Sequence, residues 1–385
     1  MTARLLRRTG TGLLAMLLMV AATPCSGQGS LGKVSAEMAA RIAEAFAPEL
    51  RPEPPDWAQI DREPLFTFAW ASDFHLDGSR LGFIARALRY IDTELRPDFL
   101  VITGDNNAHP APPTDPHNPE PVSLRRQKFF KAYLAKHLKT PYAVIPGDNW
   151  PHDFHRVFGP TQYSFDFGGL HFLFTAVDQS FHGAGSEGLA VFNDATWAWM
   201  RGDLEKNREK PTILLQHEPI FPPTFLDAKR LQQMLDKHPN VIAGFHGHLH
   251  ADMAIEGNGQ TYVVCPALGP GSPPAMKQVR VYPHVLILQT IEFNKPKRRF
   301  EMVNKWQKID VPQEFSSRLA RPQGKHFVME NYDAVPPHAH RKAPELAGHL
   351  GELLGIFRGF LLRDLYPAME RRGGLPTPLP RAAER

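Results

Sequence analysis

Between residues 65 and 250 short apolar runs alternate with longer amphipathic segments, and this alternation constrains the fold more than any other feature of the chain. The runs are "LFTFAWASDFH", "DFLVITGD", "YAVIPGD", "LHFLFTAVD", "TILLQHEP" and "NVIAGFHGH". Each reads as a strand. The segments between them predict helices over Arg80–Leu95, Ser123–Leu138, Ala195–Asn207 and Phe225–His238. Strand and helix in alternation argue an α/β architecture. After His250 the pattern turns to strands alone, "TYVVCPA", "KQVRVYPHVLILQTIEF" and "RRFEMVN". They predict that the chain closes with a second, more antiparallel sheet.

The flanks read differently. In "MTARLLRRTGTGLLAMLLMVAATPCSGQG" a basic start (Arg4, Arg7, Arg8) leads into the apolar run Gly10 to Ala22 and then small residues. This order predicts a signal peptide over 1–27, cleaved after Gly27, and a periplasmic or extracellular protein. Cleavage removes three arginines and no acid from a net charge of +4, leaving about +1. The basic balance is therefore partly a targeting signal, and no basic patch with interleaved aromatics suggests nucleic acid. Of the 2 cysteines only Cys265 would remain, so no internal disulfide is expected. Residues 28–63 read as a short helix from Ala36 to Leu50 and a Pro-rich linker. The main domain is expected over 64–304 and an extension over 305–385. In that extension a helix at about 344–366 puts Leu353, Leu354, Phe357 and Leu361 on one face. Glu352, Arg358, Arg363 and Asp364 exclude a transmembrane reading of it.

Most of the apolar runs end in polar residues that a strand does not need. The first ends in Asp73 and His75, the second in Gly104-Asp105-Asn106-Asn107, the third in Gly147-Asp148-Asn149. "TILLQ" ends in His217, and "NVIAGF" in His246, His248 and His250. In open α/β sheets ligands bind beyond the carboxyl ends of the strands, so these groups should share one crevice. Carboxylate with imidazole and no thiolate suits zinc, iron or manganese and not a structural zinc site. There are too many donors for one tetrahedral ion. A bridging carboxylate between two metals accounts for them, and such a pair activates water and clamps a phosphoryl group.

This order of motifs resembles the calcineurin-like metallophosphoesterase superfamily, whose pattern runs D-x-H, G-D, G-N-H-[D/E], a lone His and G-H-x-H. The resemblance covers about Phe66 to His250 and on through the strands to about Val303. It implies a four-layer α-β-β-α sandwich of two central mixed sheets flanked by helices, here with a C-terminal helical extension. It implies two divalent or mixed-valence transition metals (Fe, Mn or Zn). Asp73 and His75 would bind the first, Asp105 would bridge, His217 and His248 would bind the second, and His250 would return to the first. His246 matches no ligand position and reads as a hydrogen-bond partner of the shell around them.

The chain departs from the pattern at Gly147-Asp148-Asn149-Trp150. Aligned on the glycine, Asp148 replaces the metal-binding Asn, and Asn149 replaces the His that helps protonate the leaving group. A slip of one residue would make Asn149 the ligand instead. His109, His152 and His155 are candidates to replace the catalytic His, and "TGDNNAH" favours His109 through its likeness to the acid-sphingomyelinase-like branch. The Pro-rich loop from His109 to Val122 would form one wall of the site.

The function implied is hydrolysis of a phosphodiester or phosphomonoester, small-molecule or lipid, by a metal-bound hydroxide. A non-catalytic metal- or phosphate-binding protein is the alternative, resting on the missing His. A weaker rival comes from "HLHAD", His248 to Asp252, which nearly matches a metallo-β-lactamase motif.

Overall fold

The computed structural model of the chain describes residues 63–106, 120–148, 152–180, 190–257, 259–324 and 326–335, with 54–56, 60, 359 and 363 besides. The expected signal peptide, the helix at 36–50, and all of the C-terminal helix except 359 and 363 lie outside these residues.

The described strands are β1 (Phe66–Ala71), β2 (Phe99–Thr103), β3 (Tyr142–Ile145), β4 (Tyr163–Phe167), β5 (Leu170–Thr175), β6 (Gln179–Ser180), β7 (Ala190–Val191) and β8 (Thr212–Gln216). They continue as β9 (Val241–His246), β10 (Met253–Gly257), β11 (Gln260–Val264), β12 (Ala275–Val281), β13 (Val285–Asn294), β14 (Arg299–Asp310) and β15 (Glu330–Ala334). The helices are α1 (Leu81–Tyr90), extended by a π turn over Ile91–Leu95, then α2 (Val122–His137), α3 (Phe154–Phe158), α4 (Asp194–Lys206), α5 (Ala228–Leu235) and α6 (Gln313–Ser316).

A six-stranded sheet runs β14-β13-β12-β1-β2-β3 and a seven-stranded sheet runs β10-β11-β9-β8-β5-β4-β15, with β6 and β7 as a separate ribbon. In the first sheet β1, β2 and β3 are parallel. In the second, β5, β8, β9 and β11 are parallel. Both sheets are mixed: antiparallel strands adjoin the parallel set on one side in the first, where β3 is the edge, and on both sides in the second.

The strands after His250 do not build a sheet of their own, contrary to the expectation from their pattern. β10 and β11 extend the second sheet beside β9. β12, β13 and β14 extend the first, β12 lying antiparallel on β1. An edge as apolar as "FTFAWA" cannot stay unpaired in water, and β12 covers it. The first sheet runs on to Asp310, and β15 pairs with β4, so residues beyond 304 take part in both sheets.

Period-two alternation sorts the core into layers. Phe68 and Trp70 of β1 point between the sheets, where they meet Phe172, Phe245 and Leu215. Ala69 and Ala71, on the other face of the same strand, pack under α1 and α2 with Ile84, Leu88, Phe130 and Leu134. The outer face of the second sheet packs on α4 and α5 through Trp197, Met200, Leu204, Leu231 and Leu235. The result is helices, sheet, sheet, helices. Trp70 of the first sheet stacks on Phe245 of the second at 4.3 Å between centroids, and its indole N–H donates to Thr103 Oγ1 at 2.9 Å.

A buried ionic cluster ties one edge of the second sheet to α4. His171 on β5 stands between two carboxylates, with Nδ1 at 2.7 Å from Asp166 Oδ1 and Nε2 at 2.8 Å from Asp203 Oδ2. Lys210 and Asn331 of β15 donate to the other Asp166 oxygen at 2.6 and 2.7 Å. Burial disfavours the imidazolium, but the hydrogen bonds and charges of Asp166 and Asp203 outweigh it, so the pKa of His171 is raised. Removing one partner of a buried ionic group costs about 3–5 kcal/mol. His171→Gln should therefore destabilise the protein by roughly that amount at pH 6, measured by urea unfolding. A raised folded-state pKa contributes stability that is full below the unfolded value of about 6.5 and is lost as pH rises through the folded value. The gap between wild type and variant should accordingly narrow on titration from pH 6 towards alkaline pH.

Candidate metal centre

The parallel strands of the two sheets deliver their carboxyl ends to one place. Past the end of β1 the backbone keeps pairing with the end of β2, Asp73 N–H donating to Gly104 O at 3.1 Å and His75 N–H to Asp105 O at 2.9 Å. Asp105 is thereby locked beside Asp73 and His75. From the second sheet, Gly247 N–H after β9 donates to His217 O after β8 at 2.9 Å. The two sheets meet where His248 N–H reaches the Asp73 carboxylate, at 3.2 Å from Oδ1 and 3.1 Å from Oδ2.

Two groups of side chains result. Asp73, His75, Asp105 and His250 form one, and Asp148, His217 and His248 the other, the donor atoms within each lying inside 4.8 Å of one another. Asp105 faces both groups. Its Oδ2 is 3.2 Å from His75 Nε2 and its Oδ1 is 3.3 Å from His217 Nε2. Asp148 Oδ1 is 3.3 Å from His217 Nε2 and 3.4 Å from His248 Nδ1. His250 Nε2 is 3.2 Å from Asp73 Oδ1 and 3.1 Å from His75 Nε2.

The backbone is held away from its relaxed form to achieve this. Asp73, His75, Asp105, His248 and His250 all have positive φ, from 38 to 69°. Each such non-glycine residue costs roughly 1–2 kcal/mol, strain that persists only where surrounding structure over-determines it.

The donor set fits a pair of cations. Imidazole nitrogens and carboxylate oxygens converge without a thiolate, the preference of zinc, iron and manganese. His217 Nδ1–H donates to Thr103 O at 2.7 Å, which turns the lone pair of Nε2 towards Asp105 and Asp148. That Nε2 is buried and makes no hydrogen bond. Burial would push Asp105 up, but the charges of His217 and His75 reverse this and hold it well below the usual carboxylate range. Against its own burial, His217 is raised well above its usual value, chiefly by the charge of Asp105. A buried nest of carboxylates calls for positive charge at its centre, and metal ions answer that need without protonating the imidazoles.

The seven residues read from the sequence as ligands stand in these two groups. Other candidates do not. His152 is exposed in a turn and His155 on α3, and neither joins a group. His109, Asn149 and most of the loop from His109 to Val122 lie outside the described residues. His246 is a buried core histidine, with Nδ1 3.1 Å from Gln216 O and its ring 6.3 Å from that of Tyr262, and burial pushes its pKa down to about 3. Its polar contacts are thus with the backbone on either side of His217. The "HLHAD" motif fails as a ligand set, because Asp252 joins neither group and pairs with Lys277 instead. Sequence reading passed over Glu218, which is buried beside the second group, with its carboxyl raised to about 7 by burial. Its one signal was its place directly after His217.

Comparison with known proteins bears on the family and the fold. Residues 66–252 match the calcineurin-like phosphoesterase family. The fold aligns with a dimetal phosphatase from Danio rerio at 12% identity and a TM-score of 0.51, over 65% of this chain and 100% of that one. GAP50, the anchor in the inner membrane complex of Plasmodium, aligns at 13% identity and a TM-score of 0.46, over 62% of this chain and 89% of that one. A predicted phosphoesterase from Streptococcus pneumoniae TIGR4 aligns at 11% identity and a TM-score of 0.32, over 64% and 97%. No curated protein matches the sequence.

The glycines of the two G-D turns explain why the strand ends approach so closely. A Cβ on Gly104, where φ is +101°, would stand 2.6 Å from His217 Nδ1 and 2.7 Å from Gly147 Cα. A Cβ on Gly147 would stand 2.1 Å from Asp105 Oδ1. Gly147→Ala should displace Asp105 and destabilise the fold by about 1–3 kcal/mol. Gly202→Ala on α4, where a Cβ meets nothing within 4 Å, should be neutral or stabilise by up to about 1 kcal/mol. Urea unfolding of the two variants beside the wild type checks the contrast.

Proposed function

We propose, for a chain whose residues 66–252 belong to the calcineurin-like phosphoesterase family, that the Asp/His centre binds two transition-metal ions and that the protein hydrolyses phosphate esters. The observation that carries this reading is the position of Asp105, one oxygen towards each group. Asp73, His75, Asp105 and His250 would hold one ion, and Asp105, Asp148, His217 and His248 the other. When bound, such a pair supplies Lewis acidity to the phosphoryl oxygens and to the attacking water.

The chain contributes the rest. Thr103 O accepts from Nδ1–H of His217, which leaves Nε2 as the nitrogen that would face a metal. The buried carboxylates and imidazoles are aimed before any substrate arrives, so no reorganisation is needed on binding. The His250 side chain is 36% exposed, against 4–5% or less for the other members, so substrate is expected to enter on its side.

Asp148 sets the charge. Two divalent ions bring about four positive charges, and Asp73, Asp105 and Asp148 return three, where an Asn at 148 would leave two. Charges this close interact by kilocalories. A dianionic monoester loses more from the added carboxylate than a monoanionic diester does, so we favour a diester, small-molecule or lipid. Asn149, standing where the family pattern has a catalytic His, favours a second reading, a metal-binding protein without turnover.

Metal analysis together with a phosphatase and phosphodiesterase screen across Fe, Mn and Zn tests both. About two ions per chain are expected, with turnover. Metal without turnover for any substrate would leave the second reading. Asp105→Ala should reduce the content to about one ion or fewer and lower turnover more than about a hundredfold. At fixed metal loading, Asp148→Asn should raise the monoester-to-diester ratio of kcat/KM by about tenfold. An unchanged ratio would remove Asp148 from the centre's charge balance.

A further inference from the structure

His250 is the least secured member of the centre. Its side chain is 36% exposed, and its backbone lies at φ 54°. Its origin also sets it apart within its group. Asp73 and His75 follow β1 and Asp105 follows β2, all in the first sheet, whereas His250 follows β9 in the second. It crosses the gap between the sheets to reach Asp73 and His75.

Two residues further on, a buried bridge returns the same loop to the first sheet. Lys277 of β12, whose side chain is 1% exposed, donates to Asp252 Oδ1 at 2.6 Å. Thr290 of β13 donates to Asp252 Oδ2 at 2.7 Å and accepts from Lys277 Nζ at 2.9 Å. Lys277 lies directly opposite Trp70 in the β1–β12 ladder, and Thr290 opposite Lys277 in the next. The bridge is thus rooted in β12 and β13, and β12 is paired with the strand that leads to Asp73 and His75.

Net stability is a poor explanation for it. Desolvating two ions costs several kcal/mol, and an apolar pair of the same volume often does as well or better. What an apolar pair lacks is a single geometry, and a largely buried ion pair with directed hydrogen bonds supplies one.

We propose that Asp252 is a positioning residue for His250. The Lys277–Asp252–Thr290 bridge fixes the loop between β9 and β10 to the first sheet, and so sets the affinity of the first metal group without touching metal or substrate. This rests on the metal reading above.

The test is calorimetric titration of metal-free protein with Mn2+. Wild type should take up about two ions. The double variant Asp252→Leu/Lys277→Met should bind one of them at least about tenfold more weakly and the other unchanged, with the urea midpoint of the metal-free protein retained. In a His250→Ala background the same pair should have no further effect on affinity, because the bridge acts through His250. Unchanged affinity at both sites, equal weakening of both, or an additive effect in the His250→Ala background overturns the inference and leaves the metal reading standing. No uptake by wild type overturns both. Should the double variant fail to fold, Asp252→Asn, which keeps an acceptor for Lys277, carries the same expectation at about threefold.

Discussion

Asp105 brings a carboxylate into the gap between two sheets, where burial alone would favour its neutral form. Imidazoles from both sides make its charge tenable, His75 from the first sheet and His217 from the second. Much else about the centre follows from that placement. The sheets must lie face to face in a fixed register, which the stack of Trp70 on Phe245 provides close to the strand ends. The G-D turns must pass within contact of each other, which only glycine permits at 104 and 147. His217 must turn its Nε2 inward, and the hydrogen bond to Thr103 O achieves this.

The centre is therefore held largely by backbone. Residues with left-handed φ recur at five of its seven members. Each cost is borne by the ladders behind it, where apolar strands buried on both faces leave little freedom for the strand ends to move. The same rigidity serves a reaction in which charge develops at phosphorus. Donors fixed beforehand need not reorient when it does.

Among the described residues, ionic clusters around His171 and Lys277 sit outside the centre, and their positions differ in consequence. The one around His171 joins β4, β5, α4 and β15 along the far edge of the second sheet, and its members point at one another. The one around Lys277 joins the two sheets next to a candidate ligand. In the first, charge complementarity closes an edge. In the second, it fixes where a loop crosses from one sheet to the other.

The sequence by itself determined the α/β class, six of the strands before His250, and the candidate ligand positions. These depend on local signals, an apolar run too short for a helix and a polar residue placed directly after it. Asp252 and Glu218 were also in plain view, yet nothing local distinguishes a carboxylate that pairs with Lys277 from one that joins the centre. Only the tertiary structure decided that β12 lies on β1 and that β10 and β11 lie beside β9. Strand propensity states that a segment is extended and says nothing of which edge it covers. The division of the Asp/His set between two groups rests on the same fact, since it depends on how two sheets face each other across a shared core, a contact between residues more than a hundred positions apart.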